Sequence, residues 1–304
     1  MDRRAFFAAS ASAAALAGAF AATADAADRR PPVSRVKTRD GAELFVRDWR
    51  PAGPPRGTLL FMAGWTLPSD FWGVQMADLT QRGFRCVAYD RRGHGRSGDP
   101  GGGYDYDHLT DDLAAVIAGL GAGKVTLVAH SMAAGEAARY LTRHGDRRVA
   151  GLVLIGATTP FLLRTDDNPR GLPAAAFEGL RQRLLLDFPG WIAENAAPFF
   201  TPQTPAETIA WGKALMLQVS RQAMLDCSRI SGLTDFRPDL KAIRVPTLVI
   251  HGDKDASAPL PLTGQPTAAL IPGARLAVYE GAPHGLPITH AARLNDDLAA
   301  FAGA

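Results

Sequence analysis

The chain has 304 residues, of which 47% are hydrophobic and 21% are charged, and its formal net charge is +3. This is the composition of a globular protein with a sizeable core, and so small a charge, spread along the chain, does not indicate a nucleic-acid-binding role. The basic pairs Arg91-Arg92 and Arg147-Arg148 are therefore interpreted as solvated loop charges. The two cysteines lie in an apolar and a helical stretch without metal-ligand spacing, so we favour buried thiols over a disulfide and expect no metal.

The N-terminus has the order of features found in an export signal. Arg3 and Arg4 precede a weakly apolar, alanine-rich stretch that ends near Ala22, and residues 24–26 (Ala-Asp-Ala) have the form of a signal-peptidase site. The paired arginines resemble a twin-arginine signal, and the stretch is too short and too weakly apolar for a stable transmembrane helix. We expect residues 1–26 to be this signal and the mature protein to be periplasmic or extracellular; a disordered tail or an uncleaved anchor are the alternatives.

Short apolar strands alternate with helices along the rest of the chain. Asp40-Gly41, between the first two strands, is typical of a hairpin turn. The alternation predicts an α/β fold with a mostly parallel sheet flanked by helices. The predicted strands cover residues 33–37, 44–49, 58–62, 84–89, 125–129, 149–155, 246–251 and 276–279, and the predicted helices include residues 70–82, 107–120, 132–143 and 288–302.

The alternation stops between residues 156 and 238. This segment is rich in proline and has helical runs at residues 174–186 and 206–230 but no clear strand. Loops at the carboxyl ends of parallel strands form the site in such sheets, so we expect a helical lid inserted into a core of residues 27–155 and 239–304. Six apolar residues of the predicted lid are candidates for a pocket wall: Phe161, Trp191, Phe199, Phe200, Trp211 and Met216.

A nucleophile is predicted at Ser131, where the strand at residues 125–129 passes directly into a helix. Small residues, Ala129 and Ala133, lie two positions to either side, as the tight backbone of a strand–serine–helix turn requires. The helix N-terminus directs free N–H groups at such a site, and the N–H of Met132 can bind an oxyanion. By itself the motif leaves open that Ser131 is an ordinary helix N-cap.

A serine nucleophile needs a base, and four histidines follow it in the chain. His144 ends the helix that leads away from the turn, His251 ends a strand, and His290 falls in the last helix. His284 lies in the loop after the last strand, at the carboxyl edge of the sheet. Proteins with this turn carry their catalytic residues in the order serine, acid, histidine, so His284 is the predicted base.

The predicted acid lies in the loop after the strand at residues 246–251. Asp253 is only two residues past the strand, which is typical of a residue that caps the turn, whereas Asp255 reaches further over the edge and is the candidate. Asp235 and Asp239 precede the strand and so lie at the wrong edge.

A second oxyanion donor is predicted in the loop after the strand at residues 58–62. Gly64 permits a tight turn there, so that the N–H of Trp65 faces the site. The Trp65 ring is then expected to line the acyl pocket.

Residues 90–97 (DRRGHGRS) resemble the signature loop of α/β-hydrolases. Over residues 33–302 the chain resembles one branch of this family, the cofactor-free (non-haem) haloperoxidases. This branch is similar to aryl esterases and perhydrolases. The resemblance implies the α/β-hydrolase fold, a triad of Ser131, Asp255 and His284, and an oxyanion hole formed by the N–H groups of Trp65 and Met132. The segments that carry it are residues 135–140, 168–173, 234–236, 251–255 and 282–286.

The chain departs from this branch around the oxyanion hole. Ala63 stands where the branch usually has histidine, and Ala133 and Ala134 replace consecutive glycines. Thr66 stands where members noted for peracid formation often have proline, which favours hydrolysis over perhydrolysis. We therefore expect the geometry of the hole to differ from that of the branch.

We expect a serine hydrolase that cleaves small aryl or alkyl esters or lactones through an acyl-enzyme, without a cofactor. The alternatives are a perhydrolase with apparent haloperoxidase activity and, from another class, a ligand-binding protein with impaired catalysis. Dehalogenase and epoxide-hydrolase chemistry is disfavoured because it usually needs a carboxylate in place of Ser131. The expected partner is a small ester or lactone, with no nucleic acid and no stable membrane insertion after signal cleavage; a homo-oligomer is left open.

Overall fold

A computed structural model of the chain describes Pro32 and residues 34–303. The predicted export signal at residues 1–26 lies outside the described residues and stays a prediction. Within the described part of the chain, no helix combines the length and the apolar character that crossing a bilayer requires.

The described residues form one eight-stranded sheet. Its strands are β1 (Arg35–Lys37), β2 (Glu43–Trp49), β3 (Thr58–Met62), β4 (Arg85–Tyr89), β5 (Val125–His130), β6 (Val149–Ile155), β7 (Thr247–Gly252) and β8 (Arg275–Tyr279). They lie in the order β1-β2-β4-β3-β5-β6-β7-β8; β2 pairs antiparallel with β1 and β4, and the other neighbours pair parallel. The predicted mostly parallel sheet and the hairpin of β1 and β2 are thus confirmed.

Helices cover both faces of this sheet. They are α1 (Gly73–Gln81), α2 (Tyr106–Gly119), α3 (Ala133–Arg143), α4 (Ala174–Asn195), α5 (Ala206–Met216), α6 (Arg221–Leu233), α7 (Arg237–Ala242), α8 (Gly264–Leu270), α9 (Leu286–Thr289) and α10 (Ala291–Ala302). Side chains of β3 alternate between the faces, so Leu60 belongs to the same apolar layer as Leu113 of α2, and Phe61 to the same layer as Met76 of α1. The two apolar layers hold the strand ends, and the loops that follow them, in fixed positions.

The chain between β6 and β7, here called the β6–β7 segment, contains α4 to α7. The predicted helix at residues 206–230 is in fact two helices, because residues 217–220 leave the helix and Ser220 caps α6 by accepting the N–H of Ala223. Helix α4 extends beyond the predicted residues 174–186 and bends at Asp187, just before Pro189, which cannot donate a helical hydrogen bond.

The interpretation of both arginine pairs as solvated charges is wrong for Arg91 and Arg92. Their side chains, in the loop after β4, are only 4% and 2% exposed. Each guanidinium is paired with a buried carboxylate, Arg91 with Glu136 and Arg92 with Asp112, which makes burial of the charge tolerable. Arg147 is exposed, consistent with the interpretation, whereas Arg148 is half-buried and donates to the carbonyls of Ala122 and Gly123.

The two cysteines are buried and unpaired, as the sequence predicted. Cys86 lies in β4 and Cys227 in α6. Burial raises the pKa of each thiol to about 12, so both stay protonated at neutral pH and neither is a nucleophile.

Candidate active site

Ser131 lies on the sharp turn between β5 and α3. Its backbone φ is 59°, in the left-handed region, which costs a non-glycine residue about 1–3 kcal/mol. The carbonyl of Ile155 accepts its N–H, and the flanking Ala129 and Ala133 are fully buried. Because helix α3 has no side-chain cap, Ser131 is not an ordinary N-cap; it is a serine presented on a strained and tightly held backbone.

Ser131, His284 and Asp255 form one hydrogen-bonded chain. His284 Nε2 lies 2.9 Å from Ser131 Oγ, and His284 Nδ1 lies 2.7 Å from Asp255 Oδ2. A carboxylate only accepts hydrogen bonds, so Nδ1 carries a proton and Nε2 is left to accept the serine hydroxyl. The structure therefore brings the three predicted residues together with the connectivity of nucleophile, base and orienting acid.

Asp255 is held in its charged form by its own loop and by the base. Its Oδ1 accepts the N–H of Ser257 at 3.0 Å and the N–H of Ala258 at 2.7 Å. Burial by itself raises the pKa of this carboxyl, but the charge and hydrogen bond of His284 and the N–H of Ala258 outweigh burial, and the pKa stays below its ordinary value. The carboxylate is thus ready to orient His284.

The other candidate acid and bases do not meet Ser131. Asp253 accepts the N–H of Gly281 at 2.7 Å, so it ties together the loops that carry the acid and the base, instead of capping its own turn as expected. His144 lies 2.8 Å from Asp111 at the far end of α3, and His290 hydrogen-bonds the neighbouring threonine hydroxyl.

Two buried histidines flank the hydrogen-bonded chain: His251, which the sequence placed at the end of a strand, and His130, which sequence reasoning missed. His251 donates from Nε2 to the carbonyl of Ala258 at 2.7 Å and lies 3.4 Å from Asp255 Oδ2. His130 donates from Nε2 to the backbone carbonyl of His284 at 3.0 Å. Burial, together with the neighbouring His284, lowers the pKa of His130 to about 3, so it is a neutral donor that fixes the backbone of the base. Its position directly before Ser131 is the sequence signal that could have found it.

The loop after β3 passes close beside Ser131. A Cβ on Gly64 would lie 2.8 Å from His130 Nδ1 and 3.0 Å from Ser131 Cβ, so this close approach requires glycine. The N–H groups of Trp65 and Met132 meet no acceptor among the residues that the structure describes. Both are therefore available to an oxyanion formed at Ser131.

The Trp65 side chain is fixed between this loop and the β6–β7 segment. Its indole N–H donates to the carbonyl of Met224 at 2.8 Å, and its ring packs edge-on against Trp191 at 5.3 Å between centroids. The following Thr66 has a φ of 67°. The ring of proline fixes φ at about −65°, so proline cannot take this conformation. The backbone conformation of the loop therefore excludes proline at position 66.

A cavity of about 400 Å³ opens at Ser131 and His284. The β6–β7 segment supplies most of its wall, which is largely apolar. Among the residues described around the cavity there is no lysine, arginine, aspartate or glutamate. Of the six candidate wall residues, Trp191, Phe199 and Met216 line the cavity, whereas Phe161, Phe200 and Trp211 do not.

Gly156, which sequence reasoning missed, makes room for the acid and the base. It follows β6 directly, its φ is 53°, and a Cβ there would lie 3.2 Å from Asp255 Oδ2 and 3.3 Å from His284 Nδ1. A glycine immediately after a buried strand was the available signal.

No group of histidine, cysteine, aspartate and glutamate side chains in the described part of the chain could hold a metal ion.

The alpha/beta hydrolase fold family matches residues 57–291 of the chain. The chain belongs to this family. The match spans the sheet from just before β3 to the start of α10, and it includes the strand–serine–helix turn and the β6–β7 segment. The predicted family and fold are therefore confirmed.

Relatives and solved structures refine the placement within the family. A "Non-heme haloperoxidase" from Rhodococcus erythropolis is 41% identical over 88% of this chain and 98% of the relative. A "Bifunctional esterase/perhydrolase DCH" from Acinetobacter calcoaceticus is 38% identical over 88% of this chain and 98% of its own length. The crystal structure of a bromoperoxidase from Bacillus anthracis superposes with a TM-score of 0.83 and 33% identity, over 88% of this chain and 98% of that one. The resemblance to the haloperoxidase, esterase and perhydrolase branch is thus confirmed.

Proposed function

We propose that the chain is a serine hydrolase that cleaves small uncharged esters, aryl or alkyl, or lactones through an acyl-enzyme. The observation that carries the proposal is the hydrogen-bonded chain from Ser131 through His284 to Asp255 at the base of an apolar cavity. A relative named as an esterase and perhydrolase adds support.

In the acylation step, Ser131 Oγ attacks the ester carbonyl carbon while His284 Nε2 takes the hydroxyl proton. Asp255 keeps the imidazole oriented and stabilises its positive charge. The N–H groups of Trp65 and Met132 bind the oxyanion, which then collapses, and the leaving alcohol departs with the proton from His284.

In the deacylation step, water replaces the alcohol. His284 takes a proton from the water as it attacks the acyl carbon on Ser131, and the same proton returns to Ser131 Oγ when the carboxylic acid leaves. Both half-reactions need the same two donors, Trp65 and Met132, so the oxyanion hole acts twice in each turnover.

The cavity wall supports uncharged substrates. A carboxylate or ammonium group placed in it meets no opposite charge, and burying an unpaired charge costs several kcal/mol. We expect p-nitrophenyl hexanoate to be hydrolysed with a kcat/KM at least about 10²-fold above that of the mono-p-nitrophenyl ester of adipic acid. Equal kcat/KM values for the two esters would contradict an uncharged substrate class.

The proposal is tested on the purified protein with aryl esters, alkyl esters and lactones of graded size. Ser131→Ala should lower kcat by roughly 10⁶-fold, and a fluorophosphonate should label the wild type at Ser131 alone. Ser34→Ala, on an exposed serine, is the matched control. Unchanged turnover in Ser131→Ala would reject the mechanism, and a wild type that neither turns over esters nor takes the label would favour the ligand-binding alternative.

Perhydrolysis is the second candidate, and the name of the Acinetobacter relative favours it. Hydrogen peroxide takes the place of water on the acyl-enzyme, so that a peracid leaves and Ser131 is regenerated; the peracid then oxidises halide to hypohalous acid and returns to the carboxylic acid. Halogenation by this route requires a carboxylic acid or ester together with peroxide. Halogenation without either acyl compound would reject it.

Residues 1–26 complete the proposal as an export signal of the twin-arginine type. The order of Arg3-Arg4, apolar stretch and Ala-Asp-Ala supports it. Expression with the native N-terminus should yield a protein outside the cytoplasm that begins at Ala27, and Lys at both arginine positions should block its export. An intact N-terminus on a cytoplasmic protein would reject it.

A further inference from the structure

Arg91 binds backbone carbonyls of the loop after β3 (residues 63–66), here called the oxyanion loop. Its Nη2 donates to the carbonyl of Ala63 at 2.7 Å, and its Nη1 donates to the carbonyl of Gly64 at 3.3 Å. Arg91 is not among the residues that line the cavity. The guanidinium therefore binds two successive peptide groups of the loop without reaching the space that a substrate would occupy.

Because of the geometry of a peptide group, this contact also sets the direction of the Trp65 N–H. The carbonyl of Gly64 and the N–H of Trp65 belong to the same peptide group, and in a trans peptide the two point in opposite directions. Because the carbonyl points at Arg91, the N–H points away from it. A donor that fixes the carbonyl thus fixes the N–H as well, and its positive charge polarises the peptide and strengthens that N–H as a donor.

Glu136 fixes the guanidinium in turn. Arg91 Nε donates to Glu136 Oε1 at 2.7 Å, and the hydroxyl of Tyr89 donates to Oε2 at 3.3 Å. Glu136 is fully buried in the first turn of α3, the helix that begins directly after Met132. Burial alone lowers the pKa of Arg91, but Glu136 outweighs it, and the pKa lies above its ordinary value, so the guanidinium stays charged. The ion pair therefore links the two elements that carry the oxyanion donors.

We propose that Arg91, held by Glu136, is the positioning residue of the oxyanion hole and sets the N–H of Trp65 relative to the N–H of Met132. The inference rests on the proposed ester hydrolysis and deepens it. Arg91 touches no reacting atom, so its loss acts on the bound transition state through the loop. The effect falls on kcat and on the binding of oxyanion analogues, while KM changes little.

The neighbouring Arg92 is a matched comparison within the same chain. It is equally buried and also ion-paired, through Asp112 and Asp40. Its hydrogen bonds go to these carboxylates and to the carbonyl of Gly102, and the oxyanion loop is not among its partners. Replacing Arg92 therefore reproduces the loss of a buried ion pair without changing the loop.

The experiment compares Arg91→Lys with Arg92→Lys. Lysine has one charged nitrogen and cannot bond two carbonyls and a carboxylate in the fork geometry of arginine. We expect Arg91→Lys to lower kcat for p-nitrophenyl esters by about 10²-fold, with KM within about threefold of wild type. The affinity for an aryl trifluoromethyl ketone, which adds to Ser131 and leaves an oxyanion, should fall by the same factor. Arg92→Lys should change neither quantity beyond about threefold, although both variants lose thermal stability.

A second variant keeps the test decisive where Arg91→Lys does not fold. The double variant Arg91→Met, Glu136→Gln removes both charges, so no buried charge is left unpaired, and it should show the same losses in kcat and ketone affinity. Equal kcat and ketone affinity in Arg91→Lys and Arg92→Lys would overturn the inference while ester hydrolysis stands. A wild type that turns over no ester and binds no ketone would overturn both proposals.

Discussion

The two sides of Ser131 are held in place by different physics. On the base side, Asp255 is fixed by two backbone N–H groups of its own loop and by His284, all at distances of 2.7 to 3.0 Å. On the side of the proposed oxyanion hole, carbonyls of the loop after β3 accept hydrogen bonds from the charged side chain of Arg91, which comes from the loop after β4 and is paired with Glu136 of α3.

The difference shows how each side should respond to change. Local hydrogen bonds to backbone N–H groups form within one loop and survive changes elsewhere in the molecule. A buried ion pair carries a desolvation cost and leaves an uncompensated charge when one partner is lost, so it transmits damage from a distance. On the base side, we therefore expect turnover to change only when a residue in contact with this hydrogen-bonded chain is substituted. On the side of the proposed oxyanion hole, we expect turnover to change also when the substituted residue lies outside the cavity.

The largest effect is expected on the base side at Asp255. Asp255→Asn keeps the shape of the side chain but cannot stabilise the imidazolium or select its tautomer, so kcat should fall by about 10⁴-fold. Asp253→Asn is the matched control, because it changes the charge two residues away and leaves an oxygen for the N–H of Gly281. Steady-state kinetics on a p-nitrophenyl ester measure both, and an equal loss in the control would show that the acid is misassigned.

A smaller effect is expected from crowding the oxyanion side at Gly64. Gly64→Ala places a Cβ 2.8 Å from His130 Nδ1 and 3.0 Å from Ser131 Cβ, so the loop must withdraw and move the N–H of Trp65, the proposed oxyanion donor. We expect kcat to fall by about 10²- to 10³-fold. Gly73→Ala, where a Cβ meets nothing within 4 Å, should retain wild-type kcat. If Gly64→Ala retained it too, the close approach would have no part in turnover.

The smallest effect concerns His130, which lies between the two sides. Its pKa is lowered from 6.5 to about 3 in the folded protein, so across that interval the unfolded chain binds a proton that the folded protein does not. The free energy of unfolding should therefore fall as pH drops below about 6.5, with a contribution from this residue of up to about 1.4 kcal/mol per pH unit. His130→Gln, which keeps a donor for the carbonyl of His284, should reduce that slope.

Urea unfolding at a series of pH values measures the slope. The matched control is His108→Gln, on an exposed histidine of α2. Since His94 and His251 also have lowered pKa values, the slope should become shallower without disappearing. An unchanged slope in His130→Gln would mean that His130 is protonated to the same extent in both states.

The sequence was sufficient for those parts of the molecule that local pattern determines. Apolar runs predicted the strands, and the order serine, acid, histidine along the chain selected Ser131, Asp255 and His284, which the structure brings within hydrogen-bond distance. Helix ends in the β6–β7 segment were less well predicted, because Ser220 caps a new helix inside one helical run, and tertiary packing decides how far α4 extends.

The support of the oxyanion loop could not be predicted for a physical reason. Arg91-Arg92 has the same local sequence whether its charges face water or buried carboxylates, and Glu136 lies 45 residues further along the chain. Only the folded arrangement of β4 and α3 brings these charges together. The position of His130 directly before Ser131 marks it as a residue of the site, but its contact could not be predicted, because its acceptor is a backbone carbonyl 154 residues away.

The hydrogen bond from the Trp65 indole to Met224 has a consequence for recombination between relatives. The acceptor is a backbone carbonyl, so the hydrogen bond itself does not depend on the side chain at position 224, whereas a one-residue deletion in α6 displaces the acceptor. A chimaera that receives the β6–β7 segment of another protein exchanges this anchor together with the cavity wall. We therefore expect substrate range and turnover number to change together in such a chimaera. The specificity of a grafted segment can be judged only when its helix matches the register of α6.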